Sequence, residues 1–346
     1  MHRKKRIRDH GIQIGRLQPG ERNAITDVEG VTVGQVTLSD GDMQTGVTAV
    51  LPYQGNLFKY KLIAASHVFN GFGKSIGLVQ INELGTLETP IILTNTFSVG
   101  TCAEALIDYM LHWNPEIGRS TGTVNPVVCE CNDMVLNDIR TRFVRRDHVF
   151  SAINRADKTF EEGGAGAGTG MVCYGLKGGI GTASRVLHYP HGTYTIGVLV
   201  LANFGRRDDL MVNGHMLGAM MGRRNDKEPE KGSVIIIIAT DLPVSSRQLN
   251  RIIKRSAVGL SRTGSFIGNG SGDIAIGFST AGHIPHDHHS DLLALNVIHE
   301  NDIDQAFHAV AEATEESVLN ALVTADPVTG RNGQQAESLC NYMDLL

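Results

Sequence analysis

Gly268-Asn269-Gly270-Ser271-Gly272-Asp273 runs directly into Ile274-Ala275-Ile276-Gly277-Phe278-Ser279-Thr280-Ala281. The first half is built of small residues that let the chain bend; the second half alternates. Ile274, Ile276 and Phe278 share one face of a strand at period two, and Ser271, Asp273, Ala275, Gly277 and Ser279 share the other. That second face is small and leaves room above it, so a substrate can reach a serine at the strand's mouth. Gly270 carries no Cβ and tolerates backbone conformations that other residues resist, which suits a peptide attacked by the hydroxyl that follows it.

The serine lacks the usual helpers. Asn269 stands where a G-x-S-x-G elbow needs its first glycine, and no histidine sits in a triad motif. On residues alone, Ser271 also reads as an ordinary serine in a glycine-rich turn. If it is a nucleophile it needs another base. A chain break before it supplies one, its own α-amine, with a pKa of about 7.7–8.0.

Working outward, the patterning predicts strands over Gly30–Thr37, Gly46–Pro52, Leu62–Ala65, Pro90–Leu93, Pro126–Cys131, Tyr194–Asn203, Ser233–Thr240 and Leu292–Ile298. Helices are expected over Gly100–Trp113, Asp147–Ala156, Ser245–Leu260, capped by Ser245 or Ser246, and Asp302–Ala325. Strands outnumber helices and group between helix pairs, an α+β layering. Three apolar strands end in polar residues, at Thr94-Asn95, Asn203 and Thr240-Asp241, and a site near Ser271 is expected where such ends meet. The glycine-rich stretch Glu161–Gly181 contains neither a P-loop nor a clean G-x-G-x-x-G and reads as tight packing. Asn225–Lys231 reads as an exposed loop.

The 346 residues carry a net charge of −5, which argues against a nucleic-acid partner. The short basic start Arg3-Lys4-Lys5-Arg6 reads as a solvated tail. No apolar segment follows it as in a signal peptide, and the most apolar run, Val234–Ala239, is too short to span a bilayer. No membrane association is expected. Five scattered cysteines suit a reducing cytoplasm.

The central stretch, N-G-S-G-D-I followed by F-S-T-A, resembles the self-cleavage site of the DmpA-type aminopeptidases, the L-aminopeptidase/D-esterase-amidases and their β-aminopeptidase relatives. The same resemblance is carried in order by N-A-I-T-D-V-E-G-V-T-V-G (Asn23–Gly34), L-T-N-T-F-S-V-G-T (Leu93–Thr101), G-L-K-G-G-I-G-T-A-S-R (Gly175–Arg185), A-N-F-G-R-R (Ala202–Arg207) and E-A-T-E-E-S-V-L-N-A-L (Glu312–Leu322). It implies an αββα sandwich like that of the ornithine acetyltransferases. It also implies one catalytic domain over 1–346, cut between Gly270 and Ser271 into chains 1–270 and 271–346 that stay associated, assembly as a homo-oligomer, a tetramer, and no cofactor. Activity would be release of N-terminal residues from short peptides, amides or esters, with L-, D- and β-amino acids all open.

Residue by residue, the resemblance makes Ser271 the nucleophile and Asn203 the oxyanion donor; the bland reading of Asn203 is strand termination. It places Thr314 and Glu316 at the freed amine. In one unbroken helix those two would point about 200° apart, so both reach one site only if the helix breaks near Ala313. Otherwise they belong to a capped, solvated turn. Asn132 stands where relatives carry an aromatic, and Tyr174 is a second pocket candidate. Two rivals remain: an acyltransferase on the same fold, against which a serine rather than threonine nucleophile speaks, and a non-catalytic protein binding Zn²⁺ or Ni²⁺ through the His283–Asp291 loop.

Overall fold

The structure, a computed structural model, describes residues 4–222, 231–288 and 290–346. In chain order the main strands are β1 (Thr32–Asp40), β2 (Met43–Leu51), β3 (Tyr60–Gly71), β4 (Thr86–Leu87), β5 (Ile91–Asn95), β6 (Val127–Cys131), β7 (Val172–Cys173), β8 (Leu176–Lys177), β9 (Gly179–Tyr189), β10 (Gly192–Asn203), β11 (Lys231–Thr240) and β12 (Gly270–Pro285). The helices are α1 (Leu78–Leu84), α2 (Val99–Trp113), α3 (Arg146–Asn154), α4 (Leu217–Met220), α5 (Ser246–Ile253), α6 (Ser256–Arg262) and α7 (Asp304–Val323).

Two sheets carry the fold, one in the order β1-β2-β5-β6 and one in the order β4-β3-β12-β11-β10-β9. Alternation along each strand decides the layers. Ile235, Ile237 and Ala239 of β11 meet Val50, Ile91, Leu93, Val127 and Cys129 between the sheets. Val234, Ile236 and Ile238 of the same strand face the other way, against α5, α6 and α7. Outward-facing Val36, Val47, Ala49, Ile92 and Val128 of the smaller sheet pack on α2 and α3. The result is the expected αββα sandwich.

β12 is the centre of the larger sheet. It runs parallel to β11 over ten paired residues and antiparallel to β3, with a register shift at Asp273/Ile274. Helix α7 presses directly on β9 because the chain is stripped to glycine there: a Cβ on Gly181 would fall 1.9 Å from the Ser317 carbonyl oxygen.

Several expectations need correction. The basic start is not a solvated tail: Arg6 is buried and paired with Glu162, while Arg3 lies outside the described residues. Residues 225–230 of the expected loop also lie outside them, and Lys231 already belongs to β11. Ser245 does cap a helix, by a reciprocal box with Gln248, but the helix divides into α5 and α6. Leu292–Ile298 forms no strand: among the described residues it pairs with no other strand, only Ile298 is tied down, through Pro243 and Gln248, and Leu292, Leu293, Leu295 and Val297 are exposed. Conversely β12 continues through His283 to Pro285, shortening the expected histidine loop.

Candidate active site

The start of β12 fixes the site. Ser271 N–H donates to the Gly268 carbonyl at 3.0 Å, closing a tight turn, and the Ser271 hydroxyl donates to Asp273 Oδ1 at 2.7 Å. The Asn70 side chain donates to the carbonyls of Asn269 and Ser271 and ties the turn to β3. Just before it, Ile267 sits at φ +57°. A β-branched residue in the left-handed region is strained, by on the order of 1–3 kcal/mol.

Gly268, Asn269 and Gly270 form part of the wall of a cavity of about 1040 Å³. Ser271 itself is fully buried behind them. Asn203 stands on the same wall, in register with Ser233 of β11, which is in turn in register with Gly272 of β12. Two strand spacings, about 10 Å, therefore separate its backbone from the Ser271 end of β12. Asn203 Oδ1 accepts the Val172 N–H at 2.9 Å, and Nδ2 donates to the Asn132 carbonyl at 3.0 Å. A backbone N–H can face only the amide oxygen, so the orientation of the amide is settled. Of its two N–H bonds, one is spent on Asn132 and the other has no partner among the described residues.

A carboxylate faces Asn203 from the other sheet. Glu130 of β6 lines the cavity yet is only 2% exposed, accepting from the Lys74 backbone N–H at 2.8 Å and from the Thr96 hydroxyl. Asn132 lines the cavity too, through a loop that begins where β6 ends. Beneath it Asp133 is fully buried, and burial pushes its carboxyl up to about 6 against hydrogen bonds from Thr45, Asn137 and Asn95. Phe72, Met134, Val135 and Phe266 form an exposed apolar rim.

The expected meeting of polar strand ends is half right. Thr94-Asn95, followed by the cavity-lining Thr96, and Asn203 lie at this end. Thr240-Asp241 lie at the other, where the Thr240 hydroxyl and the Asp241 carboxylate hold the two backbone groups of Thr195. The reason is topological: β10 and β11 are antiparallel, so their C-terminal ends diverge.

Thr314 and Glu316 are not brought to Ser271. Helix α7 is unbroken across them, and the two point to different neighbours. Thr314 packs against Gly259 of α6, close enough that a Cβ there would fall 2.7 Å from its own. Glu316 is fully buried in ion pairs with Arg185 at 2.7 Å and Arg8 at 2.7 Å, and accepts from Asn23 at 2.5 Å. Arg185 lies in the register row of Ile196, Thr240 and Ser279, eight residues along β12 from Ser271, or about 26 Å. Burial raises the Glu316 carboxyl, but the two guanidiniums and the Asn23 amide outweigh it and hold the group below its ordinary value. The alternative of a capped, solvated turn does not hold either, since Thr314 and Glu316 are both fully buried within α7.

Tyr174 is likewise no part of the wall. It is fully buried behind Val172 and Gly175, its hydroxyl 2.9 Å from that of Thr263 and its ring against Phe204. The histidines of the expected loop are dispersed: His283 meets Tyr53 edge-on, His286 contacts the Thr121 hydroxyl, His288 pairs with Asp291 at the surface, and His289 lies outside the described residues. Glu130, Thr96 and Asp273 were missed. The signal for Glu130 was a lone charge inside the apolar run Val127-Val128-Cys129-Glu130-Cys131.

Two sheets between helices, with a hydroxyl at the start of a central strand and an amide donor two strands away on the adjoining cavity wall, are the architecture of the N-terminal-nucleophile hydrolases. Comparison with known proteins narrows the class: residues 23–336 match the model of Peptidase family S58, and the chain belongs to that family. It is 37% identical over 359 aligned residues to the beta-peptidyl aminopeptidase BapA of Sphingosinicella microcystinivorans, spanning 96% of this chain and 89% of that one. A solved Burkholderia sp. beta-aminopeptidase matches with a TM-score of 0.90 at 40% identity over 98% of each chain. The L-aminopeptidase D-Ala-esterase/amidase of Ochrobactrum anthropi, described as a new variant of the Ntn hydrolase fold, matches with a TM-score of 0.91 at 34% identity over 97% of this chain and 96% of that one. The protein is thus a hydrolase, an aminopeptidase of this family. Among the described residues no helix is long and apolar enough to cross a membrane.

Proposed function

We propose that this aminopeptidase cuts its own chain between Gly270 and Ser271 and then uses Ser271 to release N-terminal residues from short peptides, amides or esters. The observation that carries the reading is the Ser271 turn at the cavity: a strained approach at Ile267, a flexible Gly270, and a hydroxyl already hydrogen-bonded to a carboxylate. In the first step Ser271 Oγ attacks the Gly270 carbonyl carbon while Asp273 takes the hydroxyl proton. The C–N bond breaks, the nitrogen gains a proton, and an ester joins Gly270 to Ser271 Oγ. Water hydrolyses that ester, leaving a Gly270 carboxylate, a free hydroxyl and a free α-amine. Departure of the 268–270 segment from the wall uncovers the buried serine.

In each turnover Ser271 Oγ attacks the substrate carbonyl with its own α-amine as base, and the spare N–H of Asn203 meets the developing oxyanion. Glu130 anchors the substrate's amine, and Asn132 borders the residue released. Water then resolves the acyl-enzyme. Chains 1–270 and 271–346 stay together because the smaller supplies the central strand, paired on both sides. We further propose a homo-tetramer in a reducing cytoplasm; the latter is supported by cysteines that are all free.

Denaturing mass spectrometry with hydrolysis of a p-nitroanilide panel tests this. Wild type is expected as two fragments, the smaller beginning at Ser271, and Ser271→Ala as one intact chain with activity reduced more than about a thousand-fold. An intact wild-type chain with full activity overturns the reading.

A further inference from the structure

One buried cation takes no part in the chemistry above. Lys177 is wholly inaccessible, and its ammonium donates to three carbonyls: Gly168 at 2.8 Å, Met171 at 3.1 Å and Gly178 at 2.8 Å. All three N–H bonds of an ammonium are thereby used, and no carboxylate lies within ion-pair distance among the described residues. Burying such a charge is unfavourable; burial, with a smaller push from Lys4, lowers the group to about 7. A methionine would fill the same space without that cost.

The placement of one acceptor gives the charge a use. β7 and β8 form a two-stranded ribbon with Val172 directly opposite Lys177. The Met171 carbonyl and the Val172 N–H belong to one rigid peptide plane. The carbonyl side receives the Lys177 ammonium and, at 2.9 Å, the Gly178 N–H. The N–H side donates to Asn203 Oδ1 at 2.9 Å. From the ammonium there is thus one continuous chain: Lys177 Nζ, the 171–172 peptide and the amide of Asn203, a residue of the cavity wall. Hydrogen bonds in series polarise one another in a dry interior. A cation on the carbonyl makes the Val172 N–H a stronger donor, and that in turn makes the Asn203 amide a stronger donor, besides holding it in place.

We infer that Lys177 is a positioning residue for Asn203, acting through the Met171–Val172 peptide. This rests on Asn203 being the oxyanion donor proposed above. A purely structural lysine that staples the glycine-rich turn would act on stability and not through Asn203.

A double-mutant cycle on Lys177 and Asn203 separates the two, with kcat and KM measured per processed protein on an amino-acid p-nitroanilide and Tm recorded alongside. Lys177→Met is expected to lower kcat at least about tenfold with KM within about twofold. In the Asn203→Ala background the same change is expected to cost less than about twofold. Where Lys177→Met does not fold, Val172→Pro removes the intervening N–H and leaves Lys177 in place, and the same pattern is expected of it. Equal losses in both backgrounds, or no loss in either, overturn the inference. If Asn203→Ala alone leaves kcat unchanged, the oxyanion assignment falls and takes this inference with it. Ser271→Ala still tests the nucleophile separately.

Discussion

The six-stranded sheet has two polar ends, and they differ in one respect that governs everything else. At the Ser279 end, Arg185, Arg8, Glu312, Glu316 and Asn23 close on one another in a network, with both Arg185 and Glu316 fully buried. At the Ser271 end, Asn203 and Glu130 are nearly as buried, but they face a cavity of about 1040 Å³. The first end has its charges mutually satisfied and nothing left to offer. The second keeps, among the described residues, a spare amide N–H and unused carboxylate lone pairs on side chains that line space a substrate can fill. Burial and charge alone do not mark a site; unspent hydrogen-bonding capacity beside a cavity does.

The largest effect that tests this division is expected at the closed end. Arg185→Met leaves Glu312 and Glu316 buried without their shared partner, and breaking such a pair costs about 3–5 kcal/mol. Tm should fall steeply while kcat per folded molecule stays within about twofold; a large kcat loss at unchanged Tm would mean that this end takes part in catalysis after all. Acid sharpens the point. Because Glu316 is held below its ordinary value of 4.5, its contribution is present above that value and is lost as the pH falls through the lowered one. Arg185→Met weakens that depression, leaving Arg8 and Asn23 to sustain the rest, so acid unfolding should begin at higher pH than in wild type.

The open end should respond in the opposite sense. Asn203→Ala is expected to raise the barrier by about 2.7–4 kcal/mol, as loss of one oxyanion donor does, with Tm little changed. A variant with wild-type kcat would remove Asn203 from the chemistry and leave it only a bridge between the Val172 and Asn132 loops.

How much of this contrast was legible in the chain follows from what each end is made of. Ser271 and Asn203 sit at strand termini next to small residues, so their place at one end of the sheet was legible from local pattern, while the roles expected of them came from the family resemblance. The layers were legible for the same reason, since alternation in β11 sends its isoleucines to two different cores. Glu316 was placed at the wrong end because its partners are remote: Arg8 is 308 positions away and Arg185 is 131. A helix that runs along the sheet gives no sign in its own sequence of which end a given turn will reach. Leu292–Ile298 shows the complementary failure, for a strand pattern cannot report that no partner strand exists.

The smallest expected effect concerns the residue that pattern reading passed over. Glu130 interrupts an apolar strand at the point where β6 reaches the cavity, and its two oxygens already accept from Lys74 and Thr96. Each carboxylate oxygen has a further lone pair, so the group can still receive an ammonium without losing the partners that orient it. Glu130→Gln preserves the shape and one acceptor but removes the charge. For a substrate with a free N-terminal amine, KM should rise about tenfold, equivalent to about 1.4 kcal/mol, with kcat changed less than about threefold. For an ester whose amine is replaced by hydrogen, wild type and variant should perform alike. Equal losses on both substrates would mean that Glu130 serves only to hold the Lys74 and Thr96 segments in place. The open end would then owe its selectivity for amines to some other group.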